Sequence, residues 1–243
     1  MHEMLRLIKK MRDARQIARL RDVPEWQRDV VKQVAPFTMT TLERVLATIA
    51  AVEYVVTAGV DGDIVECGVW RGGQMMAAAL TLKHFGVERD IRLYDTFSGM
   101  TAPAAVDLDF AGEAAQPVYE KSLSREPGGR WCEATLPDVR TNLLSTGYPS
   151  SRIHFIEGDV ESTIPEFAPD AISYLRLDTD WYASTAHEFL HLYPRVTRLG
   201  VIAVDDYGHW QGARMATDEY LAKHGIKVLM NRIDYTGRQF LKV

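Results

Sequence analysis

From residue 63 onward the chain alternates short apolar runs with stretches of helical period. "DIVECG" (63–68), "DIRLYD" (90–95), "RIHFIEGD" (152–159), "AISYLRLD" (171–178) and "VIAVDD" (201–206) are rich in Ile, Val, Leu and Tyr without strict polar alternation. Such runs read as strands buried on both faces. Helical stretches such as "QMMAAALTLKHFG" (74–86) fall between them. Serial βα units imply an open, mostly parallel sheet with helices on both faces, an α/β fold. "IKVLMNRIDYTGRQFLKV" (226–243) reads instead as two strands joined by a turn at Asp234 to Gly237, so the sheet is expected to end in an antiparallel hairpin.

Residues 1–60 read as extra N-terminal helices, a cap or interface segment on the main domain at 61–243. In "TTLERVLATIAAVEYVVTAG" (40–59), Leu42, Val45, Leu46, Ile49 and Val52 form a stripe, Thr40 and Glu43 have capping-box spacing, and Gly59 supplies the stop. Upstream, Met4, Leu7, Ile8, Met11, Ala14 and Ala18 recur at helical spacing among basic residues. A stripe of this kind docks on its own domain or on a second subunit more commonly than on a membrane, and a homo-oligomer, a dimer or higher, is expected. Residues 98–135 form a long, lid-like insertion with Pro103, Pro117, Pro127, Gly128 and Gly129. Between it and the third strand only "LPDVRTNLLSTG" (136–147) reads as helix.

Length and charge narrow the function. The chain of 243 residues suits one α/β domain with a single site, and a formal net charge of -5, with no basic excess, makes nucleic acid a poor candidate partner. Cys67 and Cys132 stand far apart with no CxxC pair and no histidine at ligand spacing, which favours a reducing, cytoplasmic location over a zinc site or a disulfide. No stretch is long and apolar enough to span a bilayer and the N-terminus lacks a signal-peptide core, so a soluble protein without a membrane partner is expected.

Ligands of open parallel sheets bind beyond the carboxyl ends of the strands, and here the strands end in acids or glycines. "ECGVWRGG" (66–73) places Gly68, Gly72 and Gly73 where the backbone turns tightly and a ligand can approach, at a spacing that is not GxGxxG. Asp95, at the end of the second strand, suits the hydroxyls of a ribose, and Asp159 an adenine amino group; either equally suits a helix N-cap. Asp178, Asp205 and Asp206 end neighbouring strands. Close carboxylates repel unless a cation sits between them or some take up protons, and oxygen ligands in that number select magnesium, manganese or calcium over zinc. Because side chains alternate along a strand, Asp205 and Asp206 can both ligate only if the strand has ended between them. Asp180 is either a general base beside the metal or the N-cap of the helix in "WYASTAHEFLHLY" (181–193). His209 is the other candidate for a site role. His187 and His191 lack the Glu of an HExxH pattern and read as surface or packing residues. Trp70, Trp181 and Trp210 follow strand ends and are candidate pocket walls, with core packing the default.

"GDIVECGVWRGG", "LYDTFSGM", "LRLDTDWY", "VDDYGHWQGA" and "NRIDYTGR" resemble, in order, the macrocin-type sugar O-methyltransferases of natural-product biosynthesis. The likeness runs from about residue 40 to the C-terminus, with none of it placed in residues 1–37. It implies the class I methyltransferase, Rossmann-like fold, S-adenosylmethionine and magnesium as cofactors, and a hydroxyl on the deoxysugar of a glycoside as acceptor. It further implies Glu66, Gly68 and Gly72, with Trp70, on the methionine side of the cofactor, Asp95 and Ser98 at the ribose, and Asp159 with Val160 at the adenine. Asp178, beside the cofactor, joins Asp205 and Asp206 as a metal ligand, and Asp180 takes the role of base with His209 still in play. A catechol methyltransferase of the same fold is the rival. An NAD-dependent oxidoreductase is disfavoured by the glycine spacing, and a module with a dead site by the presence of every acid.

Overall fold

The computed structural model describes residues 20–124 and 129–243, so the basic helix expected near the N-terminus lies outside the described residues. Two helices, α1 (Glu25–Val34) and α2 (Leu42–Thr57), lead into β1 (Asp63–Cys67), α3 (Gly73–His84) and β2 (Ile91–Asp95). After the insertion, which carries α4 (Gln116–Leu123), come α5 (Leu136–Leu144), β3 (Ile153–Glu157), the short α6 (Val160–Thr163) and β4 (Ile172–Leu177). The chain closes with α7 (Tyr182–His191), β5 (Val196–Val204), α8 (Gln211–Lys223), β6 (Asn231–Arg232) and β7 (Arg238–Leu241). The sheet order is β3-β2-β1-β4-β5-β7-β6; the first five strands run parallel, and the last two form the expected antiparallel end.

Alternation along the strands feeds two cores. Ile64, Tyr174 and Ala203 join the core under α1, α2, α3 and α5, while Val65, Leu175 and Ile202 join the one under α6, α7 and α8. Each sheet face is thereby covered, which explains why the strands read as apolar runs. In the shared register Glu66 pairs with Arg176, and Arg176 with Ala203, so a charged pair interrupts the first face near its carboxyl edge. The ladder runs one residue past the strands: the Asp178 amide donates to Cys67 O and the Asp205 amide to Leu177 O, each at 2.9 Å. Those bonds fix the backbone of both aspartates.

Three local expectations change. The cap of α2 is Thr41, whose hydroxyl accepts from the Arg44 amide, while Thr40 accepts from Gln74. Gly59 does end α2, with φ 65, as the Val60 amide returns to Val55 O and its own to Val56 O. The insertion is not structureless: besides α4, its Leu108 and Ala114 form an antiparallel bridge, Asp109 bridges Trp210, and Asp107 Oδ1 accepts from the Tyr182 amide at 2.8 Å. Asp107 therefore caps α7. Asp180 does not, because Trp181 is the N-cap residue and makes no side-chain cap bond.

The hairpin turn reaches back to the N-terminal helices. Asp234 Oδ1 accepts from the Thr236 and Gly237 amides, and its Oδ2 accepts from the Thr41 hydroxyl at 2.6 Å and lies 3.0 Å from Arg44 Nε. The start of α2, the hairpin and the ends of the parallel strands are thus tied together beside one cavity.

Candidate active site

A cavity of about 400 Å³ opens at the carboxyl ends of β1, β2, β4 and β5. Its floor is the turn after β1. Gly68, at φ 77, passes so close to β4 that a Cβ would lie 2.1 Å from Asp178 O, so only glycine fits. Asp95 shapes the same turn: its Oδ2 accepts from the Val69 and Trp70 amides at 2.7 and 3.2 Å, and its Oδ1 from the Phe97 amide at 2.8 Å. The ribose candidate thus already has a structural task, with lone-pair capacity left over. Glu66 is buried; its Oε1 accepts from Arg176 at 2.5 Å and its Oε2 has no partner among the described residues. Burial pushes Glu66 up to about 7. A buried acceptor left open beside a cavity fits a cationic donor such as an amino-acid ammonium.

Asp159 both lines the cavity and caps α6, accepting from the Glu161 amide at 2.9 Å, and Val160 lines it beside Asp159. Trp70, at φ 45, is in the wall. Two implied residues are not. Gly72, at φ 83, starts α3, and a Cβ there would meet Leu143 at 2.5 Å, so its smallness serves packing. Ser98 is exposed on the turn after Asp95, while Thr96 and Gly99 face the cavity in its place.

One carboxylate oxygen from each of Asp178, Asp205 and Asp206 lies within 4.8 Å of the others. Both adjacent aspartates contribute because β5 stops at Val204, ahead of the pair, and the Asp206 carbonyl opens a turn by accepting from the His209 and Trp210 amides. Two arginines that sequence reasoning missed hold this cluster. Arg176, buried on β4, donates to Glu66 and Asp178 at 2.5 Å each and also pairs with Asp205; Arg44, from α2, pairs with Asp205 and Asp234. An arginine inside the apolar run "AISYLRLD" was a visible signal, since a buried guanidinium demands acids. Arg44 gave none, lying on a helix flank.

Even so, carboxylates outnumber cations. Glu66, Asp178, Asp180, Asp205 and Asp206 line the cavity with Arg44, and Arg176 is bonded to three of these acids from the buried strand β4. Desolvation raises Asp178 and Asp206 well above the ordinary carboxylate range; against Asp178 Arg176 pulls down, while neighbouring aspartates push both up. A donor set of hard oxygens with surplus negative charge fits a divalent cation such as magnesium.

Asp180 lies beside the cluster at φ 70, a strained conformation for a residue with a side chain. Its Oδ2 accepts from Trp210 Nε1 at 3.2 Å, and burial pushes its carboxyl to about 7. The preceding Thr179 donates at 3.0 Å to Glu188, a fully buried carboxyl that desolvation raises to about 8. His209 also lines the cavity; burial lowers its pKa, and its Nδ1 is buried without a partner among the described residues. Trp210 walls the cavity with Trp131, which sequence reasoning overlooked, whereas Trp181 sits behind them, 2 % exposed, with its Nε1 on Thr101 O. His187 bonds Ile164 O at 2.9 Å and packs tilted against His191 with ring centroids 4.4 Å apart, a packing role.

Residues 2–242 match the family model of macrocin-O-methyltransferase (TylF), which extends the likeness into the first forty residues. The chain is 31% identical over 201 residues to the 8-demethyl-8-(2,3-dimethoxy-alpha-L-rhamnosyl)-tetracenomycin-C 4'-O-methyltransferase of Streptomyces olivaceus, covering 82% of this chain and 73% of that one. It is 30% identical to the mycinamicin III 3''-O-methyltransferase of Micromonospora griseorubida, over 82% of this chain and 76% of that one. The solved structure of the O-methyltransferase NovP superposes with a TM-score of 0.72 at 29% identity, covering 85% of this chain and 82% of that chain.

Proposed function

The chain belongs to the macrocin-O-methyltransferase (TylF) family of S-adenosylmethionine-dependent O-methyltransferases, with their class I fold, and on that premise we propose that it methylates a hydroxyl of a deoxysugar on a glycosylated natural product, with magnesium at Asp178, Asp205 and Asp206. The observation that carries the reading is the meeting, in one cavity, of an open Glu66 carboxylate beside the Gly68 turn with a three-aspartate cluster. Relatives that act on sugars of assembled antibiotics support the acceptor class. An NAD-dependent oxidoreductase is set aside by the family.

A sugar hydroxyl is a weak acid and a poor nucleophile, so the site must generate and align an alkoxide. When bound, S-adenosylmethionine would supply an activated sulfonium methyl, and a cation held by Asp178, Asp205 and Asp206 would acidify a hydroxyl oxygen in the sense in which zinc lowers the pKa of water from 15.7 to about 7, though less strongly. The chain's own residues do the rest. Glu66 receives the ammonium of the methionine moiety, and Asp95, Asp159 and Val160 line the nucleoside end. Asp180, aimed by its bond to Trp210 and by its strained backbone, takes the hydroxyl proton. His209 is the second candidate for that proton, its Nδ1 having no partner among the described residues. Trp70, Trp131 and Trp210 exclude water around the reacting atoms.

The test is mass-spectrometric detection of methyl transfer to a panel of deoxysugar glycosides and catechols, each with magnesium and with EDTA. Glycoside methylation abolished by EDTA is the expected result. Product on catechols alone would move the acceptor to phenols, and EDTA-resistant glycoside methylation would remove the metal.

A further inference from the structure

Glu188 is a buried carboxyl that the mechanism above leaves without a task. It lies on the inward face of α7 with Ser184, Thr185 and Phe189, where a helix covering a sheet ordinarily carries apolar side chains. Burying a carboxyl costs stability unless its oxygens are bonded. Here Oε1 accepts from the Thr179 hydroxyl at 3.0 Å, the Cys67 thiol of β1 stands beside the carboxyl, and Oε2 has no partner among the described residues. A leucine of similar size would fill the place without that cost, so packing alone does not account for the acid.

What Glu188 holds is the turn that presents Asp180. The Trp181 amide donates to Thr179 O at 2.8 Å while Asp180 takes φ 70. Asp180 is therefore the middle residue of a γ-turn of positive φ, the rare and strained form. Such a conformation persists only where its surroundings over-determine it. On either side the main chain is pinned: the Asp178 amide donates to Cys67 O at 2.9 Å, and the Tyr182 amide to Asp107 Oδ1 at 2.8 Å. Ser184, one helical turn before Glu188, donates to Trp181 O at 3.2 Å. Between those anchors the turn is bonded through two side chains, Thr179 to Glu188, and Asp180 to Trp210 Nε1 and Asp206. Releasing Thr179 leaves the bonds of Asp180 alone to resist relaxation of the strained backbone.

We propose that Glu188 is a positioning residue: by holding the Thr179 hydroxyl it keeps the strained turn that places the Asp180 carboxyl against the acceptor hydroxyl. This rests on the reading of Asp180 as the proton acceptor. The acid acts through Thr179 from the core side of the turn and touches neither substrate nor cofactor.

The test separates placement from chemistry. Placement is read from the indole N–H resonance of Trp210, assigned by its loss in Trp210→Phe, in the isotope-labelled full chain with S-adenosylhomocysteine bound. Chemistry is read from kcat and KM with S-adenosylmethionine, magnesium and methyl α-L-rhamnoside. In Glu188→Leu and Thr179→Val the resonance is expected to move to where Asp180→Ala puts it, and kcat to fall about ten- to a hundredfold, with KM for S-adenosylmethionine unchanged within about twofold. The double variant should be no slower than the slower single one, since both remove the same bond. Glu188→Gln, whose amide oxygen still accepts from Thr179, should keep the resonance and most of the rate. Phe189→Leu, buried on the same helix, controls for lost packing: it should lower Tm and move neither readout. A resonance unmoved in both Glu188→Leu and Thr179→Val, or one that Phe189→Leu moves as far, overturns the proposal. A resonance that moves while kcat stays would leave Glu188 as the holder of the turn and fault Asp180 as the proton acceptor instead. With the rhamnoside methylated by none of the proteins, the resonance alone decides.

Discussion

At the scale of single residues, the site concentrates groups whose surroundings oppose their ionisation. Asp180 combines a positive φ, an indole donor, a carboxyl partner in Asp206 and neighbouring like charges. Asp180→Asn keeps the shape and removes the proton acceptor. Turnover is expected to fall by roughly 10²–10⁴ with S-adenosylhomocysteine affinity unchanged by calorimetry; a loss confined to cofactor binding would remove Asp180 from the chemistry. Glu188 makes a different prediction. Burial holds it at about 8, above its ordinary value of 4.5, so the native state keeps a proton that the unfolded chain releases. Stability attributable to Glu188 is therefore present below pH 4.5 and is lost as pH rises to about 8, at up to roughly 1.4 kcal/mol per pH unit. Glu188→Gln still accepts from Thr179 and removes that slope. Urea unfolding of the two proteins at pH 5 and pH 8 should show the difference moving in the variant's favour; a constant difference would mean that Glu188 is ionised in the native state.

At the scale of elements, what could be read from the chain depended on how many positions each element buries. The five parallel strands announced themselves because both faces are covered, and the hairpin because its turn residues stand between apolar runs. By contrast α1 buries only Val30, Val31 and Val34 within a polar segment, and α4 buries only Ser122 and has proline near its start, so neither offered an apolar run to read. The four aspartates were legible as a group because parallel strands bring their ends to one edge. Which neighbour faces inward was not, since Ser98 and Gly72 differ from Thr96 and Gly73 by local turn geometry that no spacing encodes. Asp107 is a consequence of tertiary packing: it caps α7 from the insertion, and a Cβ at Gly212 would meet its Oδ1 at 2.1 Å. Asp107→Ala should cost about 1 kcal/mol in denaturant unfolding; no change would mean that water replaces the cap without loss.

At the scale of the whole molecule, the proposed cation at the three-aspartate cluster carries a prediction about stability, because the acids there outnumber their arginine partners. A ligand at a hundred times its Kd adds about 2.7 kcal/mol, which for a chain of this length raises Tm by roughly 5–10 °C. Asp206→Asn removes both a proposed ligand and one of the crowded acids, so it is expected to raise Tm in EDTA while abolishing the rise on adding magnesium. Parallel melting of both proteins would reject the cluster as a cation site if the magnesium response survived. The tie between Thr41, Arg44 and Asp234 has a consequence for how the chain is made. Thr41 and Asp234 are 193 positions apart, and a ribosome adds about 5–20 residues per second. For roughly 10–40 s of synthesis, therefore, α2 emerges and waits with its hairpin partner still untranslated, and the charge network beside the site can close only after the strand-ordering steps of translation are nearly over.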